Sequence, residues 1–178
     1  LRTRRPASAA PRLAVLGLAL ALAIPAPLGS STNEVPEFFR SFGRQEIGEE
    51  AIVLVAPHFT NGAGAAPMLW AAYAGNRLRL YEAYAYVPDA DGNPRYGPPP
   101  TQLTRIMERI QDDGVMLVAR GEVRDQVLRD IAANGITDVI VGPMDHREQM
   151  VVFFADLFGR PPVEVGGVQL WRGVSGGG

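Results

Sequence analysis

Two histidines are the only imidazoles in the 178 residues, and each stands just past an apolar, β-branched run. His58 follows Ala51-Ile-Val-Leu-Val-Ala56, in the turn Pro57-His58-Phe59-Thr60-Asn61-Gly62. His146 follows Ile136-Thr-Asp-Val-Ile-Val141 and adjoins Asp145. Imidazole can give or take a proton, and a neighbouring carboxylate can orient it. If the two runs are neighbouring parallel strands, His58, Asp145 and His146 rim one crevice beyond the carboxyl ends, where open α/β sheets bind ligands. Asn61, on the turn with His58, completes the candidate ligand-binding set: His58, Asn61, Asp145 and His146. A structural reading stands beside this one. Asp145 is well placed to cap the following helix, with Glu148 three residues on to complete a capping box, and a histidine at a helix N-terminus is common on surfaces.

Other chemistry is thinner. Two His and one Asp have metal-ligand chemistry, yet no spacing such as H-E-x-x-H is present, so no metal site is assigned. Neither a Gly-x-Ser-x-Gly elbow nor a P-loop lysine occurs, and no catalytic residue is assigned. Gly62-Ala63-Gly64, with Glu82 20 residues after Gly62, imitates a dinucleotide fingerprint. Too many residues separate Ala56 from Gly62, and Pro67 occupies the place of the third glycine. No cofactor is therefore expected. Tyr81, Tyr84 and Tyr86 with Trp70 have the chemistry to stack a sugar, but such residues more often pack a half-buried sheet, and that reading is preferred.

The elements that position these residues follow from the pattern. Ile136 to Val141 lacks strict alternation, as expected of a strand covered on both faces. Asn134-Gly135 supplies the left-handed residue that ends the preceding helix, and Gly142-Pro143 ends the strand. In the helix beyond, Met150, Val151, Phe154, Leu157 and Phe158 make one apolar face. Upstream, Val35-Pro-Glu-Phe-Phe39 starts a short helix, and Ala51 to Ala56 is the second buried strand. Pro67 opens a helix running to Ala74. Leu78 to Val87 reads as one strand or two short ones, and Asp89 to Pro94 as a turn. Thr101 caps a helix burying Leu103, Ile106, Met107 and Ile110, which Asp112-Asp113-Gly114 ends. Val115 to Ala119 reads as a short strand, and Glu122 to Ala133 as a helix burying Val123, Val127, Leu128 and Ile131. Val163 to Val165 and Val168 to Trp171 form a closing hairpin around Gly166-Gly167.

Composition sets the surroundings. No cysteine is present, so neither disulfide nor thiolate chemistry is available. All 17 basic residues are Arg, a bias read first as GC-rich coding. Residues 1–33 hold Arg2, Arg4, Arg5 and Arg12 and no acid, leaving 13 Arg against 19 acids, a formal charge of −6, in the rest. An acidic body argues against nucleic acid as a partner.

Leu13 to Leu28 is an uncharged apolar run behind that Arg cluster. Positive flanks stay cytoplasmic, which places the chain after Leu28 outside. A cleaved signal peptide wants an apolar core of about 7 to 15 residues and a small-residue cleavage site. Leu13 to Ile24 has the length, but Pro25-Ala-Pro-Leu-Gly-Ser30 has no clean A-x-A site. A membrane helix wants about 20 apolar residues, with roughly 17 as a lower limit. The run is slightly short, yet the last helix of a polytopic bundle tolerates shortness and proline. A buried helix of a soluble domain is the third reading. The membrane helix is preferred, and the leading Leu1 in place of Met suggests a fragment of a longer chain.

Spread along the chain are Val35-Pro-Glu-Phe-Phe39, the strand Ala51 to Pro57, Met68-Leu-Trp70, Tyr86-Val-Pro-Asp89 and Gly97-Pro-Pro-Pro100. Gly135-Ile-Thr-Asp-Val-Ile-Val-Gly-Pro-Met144 comes next, then Phe158-Gly-Arg-Pro-Pro162 and Gly166-Gly-Val-Gln-Leu-Trp171. This pattern resembles large bacterial polytopic membrane glycosyltransferases that use polyprenyl-phosphate sugars, like the protein mannosyltransferases. Such proteins carry a small extracytoplasmic α/β domain after their last membrane helix. The resemblance implies that the catalytic acid lies in a first extracytoplasmic loop outside this chain, so no catalytic residue carries over.

The expectation is thus an α/β protein with a small, mostly parallel, Rossmann-like sheet flanked by helices, behind one N-terminal transmembrane helix. Residues 1–12 form a basic cytoplasmic flank, 13–28 the transmembrane helix or signal anchor, 29–33 a linker, 34–173 the extracytoplasmic domain and 174–178 a disordered tail. The expected function is that of an accessory C-terminal piece of a membrane glycosyltransferase, with the lipid bilayer as partner and a polyprenyl-phosphate-linked sugar or its acceptor bound through the missing membrane part. The alternative is a membrane-anchored or secreted α/β binding domain that is not an enzyme. Either way the location is the cell membrane, with the C-terminal domain outside the cytoplasm.

Overall fold

β5 (Ile136–Val141) lies at the centre of a five-stranded sheet ordered β2-β1-β5-β7-β6. β1 spans Ile52–Ala56, β2 Arg79–Leu80, β6 Val163–Val165 and β7 Val168–Arg172. The computed structural model describes residues 34–58, 65–81, 86–88, 91–96 and 99–176, all within one unit, Asn33–Gly178. The expected basic flank, membrane helix and linker, and the Gly62-Ala63-Gly64 and Glu82 positions, lie outside the described residues. Among the described residues no helix is long and apolar enough to cross a membrane.

The sheet is mixed, which corrects the expectation of a mostly parallel one. β1 runs parallel to both β2 and β5, whereas β7 runs antiparallel to β5 and to β6. The cause is the chain's return after its last long helix. The helix Arg147–Phe158 carries the chain across to β6, which runs in the direction of β5. The tight Gly166-Gly167 turn then sends β7 back between them, because a two-residue turn joins only antiparallel strands. Gly166 also fixes where the hairpin sits. Its carbonyl accepts the Phe38 N–H at 2.8 Å, and a Cβ there would lie 2.4 Å from that nitrogen. A separate antiparallel ribbon pairs β3 (Tyr86–Pro88) with β4 (Pro94–Tyr96).

Helices cover both faces of the main sheet. A π-helical turn, Phe38–Phe42, leads into α1 (Gly43–Glu46), and α2 spans Ala66–Tyr73. The π-turn and α2 pack Phe38, Phe39 and Trp70 against Val53, Val55, Ile140 and Leu170. On the other face, α3 (Gln102–Asp113), α4 (Gly121–Ala133) and α5 (Arg147–Phe158) cover Leu54, Ala56, Ile136, Val139, Val141 and Trp171. Each large apolar side chain so buried contributes roughly 1.5–3 kcal/mol.

A bulge explains how β5 divides its residues between the two faces. Ile52 pairs with Ile136 but Val53 pairs with Asp138, so Thr137 is the extra residue. Its hydroxyl oxygen accepts the Ile52 N–H at 3.1 Å, in place of a ladder bond. Without the extra residue, period-2 alternation would set Ile136 on the face of Ile140. With it, Ile136 joins Val139 and Val141.

Local signals explain the helix ends. Thr101 and Thr104 make a reciprocal capping box at α3, and Gly114 ends that helix with φ of 64°. Gly135 is likewise left-handed past α4, at φ 64°. Four expectations are corrected. Val115 to Ala119 forms no strand; it runs between two helices with Val115, Leu117 and Ala119 packed on the core. Val123 is 42% exposed, because no element of the core covers the first turn of α4. In α5 the buried face is Met150, Phe153, Phe154 and Leu157, with Val151 and Phe158 only half-buried. Past β7, Val174–Gly176 forms a 3-10 turn where a disordered tail is expected, because Val174 is buried in the core with Trp171.

Candidate functional site

β1 and β5 are parallel neighbours, with Ala56 opposite Val141, and the chain leaves both at the same end of the sheet. A cleft of about 710 Å³ opens there, lined by Pro57 after β1, Ala66 of α2, Gln111 and Asp112 of α3, and Pro143, Met144 and Asp145 after β5. That volume falls within the range of about 300–1,000 Å³ usual for small-molecule sites. Gly142 stands between the end of β5 and the lining residues Pro143 and Met144. A Cβ on it would lie 2.4 and 2.5 Å from two carbons of the Trp70 ring, so the ring's position leaves no room for a side chain here. Trp70 is itself held by stacking on Phe39 at 5.2 Å and by donating its N–H to the Glu34 carbonyl at 3.0 Å. Fully buried, it cannot serve as a sugar platform. Tyr81 packs half-buried against the core, while Tyr84 and the Tyr86 side chain lie outside the described residues.

The candidate residues divide. Asp145 is exposed and lines the cleft. His58 is 5% exposed and turns toward α3, its Nε2 3.7 Å from a carboxylate oxygen of Glu108. That contact ties the turn after β1 to the helix that supplies Gln111 and Asp112. His146 is exposed and rests on Gly114, where a Cβ would come within 2.6 Å of its ring. Asn61 lies outside the described residues. Asp145 and Glu148 do not cap α5 as the sequence suggests. His146 adopts φ of 56° and occupies the N-cap without a side-chain hydrogen bond, so the helix starts one residue later than an Asp145 cap requires.

Gln111 and Asp112 are the cleft residues that the sequence pattern did not single out. The usable signal is spacing: Gln111 falls four residues after Met107, so it continues the buried face of α3 with an amide, at 8% exposure. The lining thus joins two carboxylates and an amide to apolar surface from Pro57, Pro143 and Met144. Carboxylates accept, and an amide both accepts and donates, so this lining suits a ligand that offers hydrogen-bond donors. Among the described residues, no three His, Cys, Asp or Glu groups come together to hold a metal ion. No family model, curated protein or solved structure matches this chain significantly.

Proposed function

We propose that this chain is the C-terminal part of an integral membrane glycosyltransferase that draws on polyprenyl-phosphate sugars. Residues 34–173 are its accessory domain outside the cytoplasm, without the catalytic residues. The observation that carries the reading is the run Gly135 to Met144, the strongest part of the resemblance, which forms the central strand and the lip of the cleft. The charge pattern supports it: an Arg-flanked apolar run precedes an acidic domain. Asp112, Asp145 and Gln111 give that domain hydrogen-bonding groups for the hydroxyls of a sugar donor or acceptor. The second reading, an anchored or secreted binding domain without catalysis, is favoured by the same cleft, which has carboxylates but neither histidine along its lining.

Membranes expressing the complete reading frame that contains this chain should transfer labelled sugar from a polyprenyl-phosphate carrier. The purified 178-residue chain should transfer none. If the complete reading frame also transfers none while the purified chain binds free sugars, the binding-domain reading replaces the first.

A further inference from the structure

A second pocket, of about 340 Å³, lies among α4, the end of α5 and the chain after β7, and shares no lining residue with the cleft. Leu128, Leu157 and Phe158 give it an apolar floor, and Arg124 and Arg160 line it as well. The floor is firmly held, since Phe158 stacks on Phe154 at 5.8 Å and meets Trp171 at 6.1 Å. Arg124 is half-buried, yet its guanidinium makes no ion pair or hydrogen bond among the described residues. Arg160 donates one N–H to the Arg172 carbonyl, which steadies a guanidinium that has further donors. No nitrogen of the Arg124 guanidinium is buried without a partner, so its donors stand open beside the apolar floor.

Guanidinium groups hold phosphate or carboxylate by paired, charge-assisted hydrogen bonds. Beside them, Phe158 and Leu128 offer apolar contact. One feature opposes an anion here: α5 ends at the pocket, and a helix C-terminus carries roughly half a negative charge. Two full positive charges outweigh it. The volume, near the lower bound of about 300 Å³ for ligand pockets, accommodates a head group and one short apolar portion, not a nucleotide.

We propose that this pocket binds an amphiphilic anion: a phosphate or carboxylate head held by Arg124 and Arg160, with a small apolar group against Phe158 and Leu128. The site stands apart from the transferase reading and does not depend on it. Calorimetric titration of the full chain in phosphatidylcholine nanodiscs tests it with dimethylallyl phosphate, dimethylallyl alcohol and inorganic phosphate as probes. Dimethylallyl phosphate should bind, and each control should bind at least roughly tenfold more weakly, as should Arg124→Gln and Arg160→Gln titrated with dimethylallyl phosphate. Arg124→Gln removes no side-chain hydrogen bond within the described residues, so it separates loss of binding from loss of fold. Adding phosphatidic acid to the nanodisc identifies the source of the anion. Suppressed binding of the probe points to a lipid head group, and undiminished binding to a free phosphate ester. Equal binding of the alcohol, unchanged binding by Arg124→Gln, or no binding of dimethylallyl phosphate overturns the proposal.

Discussion

Gly142→Ala perturbs the end of β5, next to the cleft residues Pro143 and Met144, and its cost can be worked from the structure. The added methyl would sit 2.4 and 2.5 Å from two carbons of Trp70, well inside the usual carbon contact of about 3.5–4.0 Å. Trp70 cannot yield freely. It is 1% exposed, stacks on Phe39 and donates to the Glu34 carbonyl. Overpacking of this kind costs about 1–3 kcal/mol, and a broken hydrogen bond adds about 1 kcal/mol. The expected loss is therefore ~2–4 kcal/mol. At roughly 3 °C per kcal/mol for a domain of this size, Tm should fall by ~6–12 °C. Thermal unfolding followed by near-ultraviolet circular dichroism reads both stability and the Trp70 environment. Gly48→Ala is the control, because a Cβ there meets nothing within 4 Å. In a Trp70→Leu background the Gly142→Ala penalty should shrink below about 1 kcal/mol, the coupling expected of groups in contact. If Gly142→Ala melts with Gly48→Ala, or costs the same with and without Trp70, the steric account of the end of β5 is wrong.

Thr137→Val removes the oxygen that accepts the Ile52 N–H at the bulge, so chemical denaturation should show a loss of about 1–3 kcal/mol, with Thr137→Ser nearer to wild type. Thr101→Ala breaks the capping box of α3 and should cost roughly 1 kcal/mol by the same measurement. Asp145 lies exposed and does not cap α5, so Asp145→Ala should leave stability within about 0.5 kcal/mol. In sugar titrations the same change should weaken binding. A large loss of stability instead would return Asp145 to a structural role.

Some of the fold is legible in the sequence because its causes are local. β1 and β5 announce themselves because strands covered on both faces need unbroken apolar runs, and the structure buries both. Thr101, Gly114 and Gly135 are local signals with local consequences, so the helix ends they mark are found where expected. Register is different. The bulge at Thr137 arises from pairing with Ile52, 85 residues away, and nothing local to Ile136–Val141 encodes it. Sheet direction is legible in part: the Gly166-Gly167 turn announces the antiparallel hairpin, but nothing local shows that its second strand, β7, is the one that pairs with β5. At the cleft, the strand ends point to Asp145. They do not reveal that His146 takes a left-handed backbone and displaces the cap, or that α3 brings Gln111 and Asp112 across. Gly142 reads as a strand breaker in the sequence, whereas its structural reason is the Trp70 ring above it.

Both readings of the function rest on one claim, that the α/β domain lies outside the cytoplasm behind an Arg-flanked apolar anchor. These 178 residues contain no cysteine, so in this chain single cysteines report sidedness cleanly. Val163 on β6 is 60% exposed, and Thr3 lies in the basic flank. With a membrane-impermeant maleimide on intact spheroplasts, Val163→Cys should label at once, and Thr3→Cys only after permeabilisation. Labelling of Val163→Cys only after permeabilisation would place the domain in the cytoplasm and contradict the account.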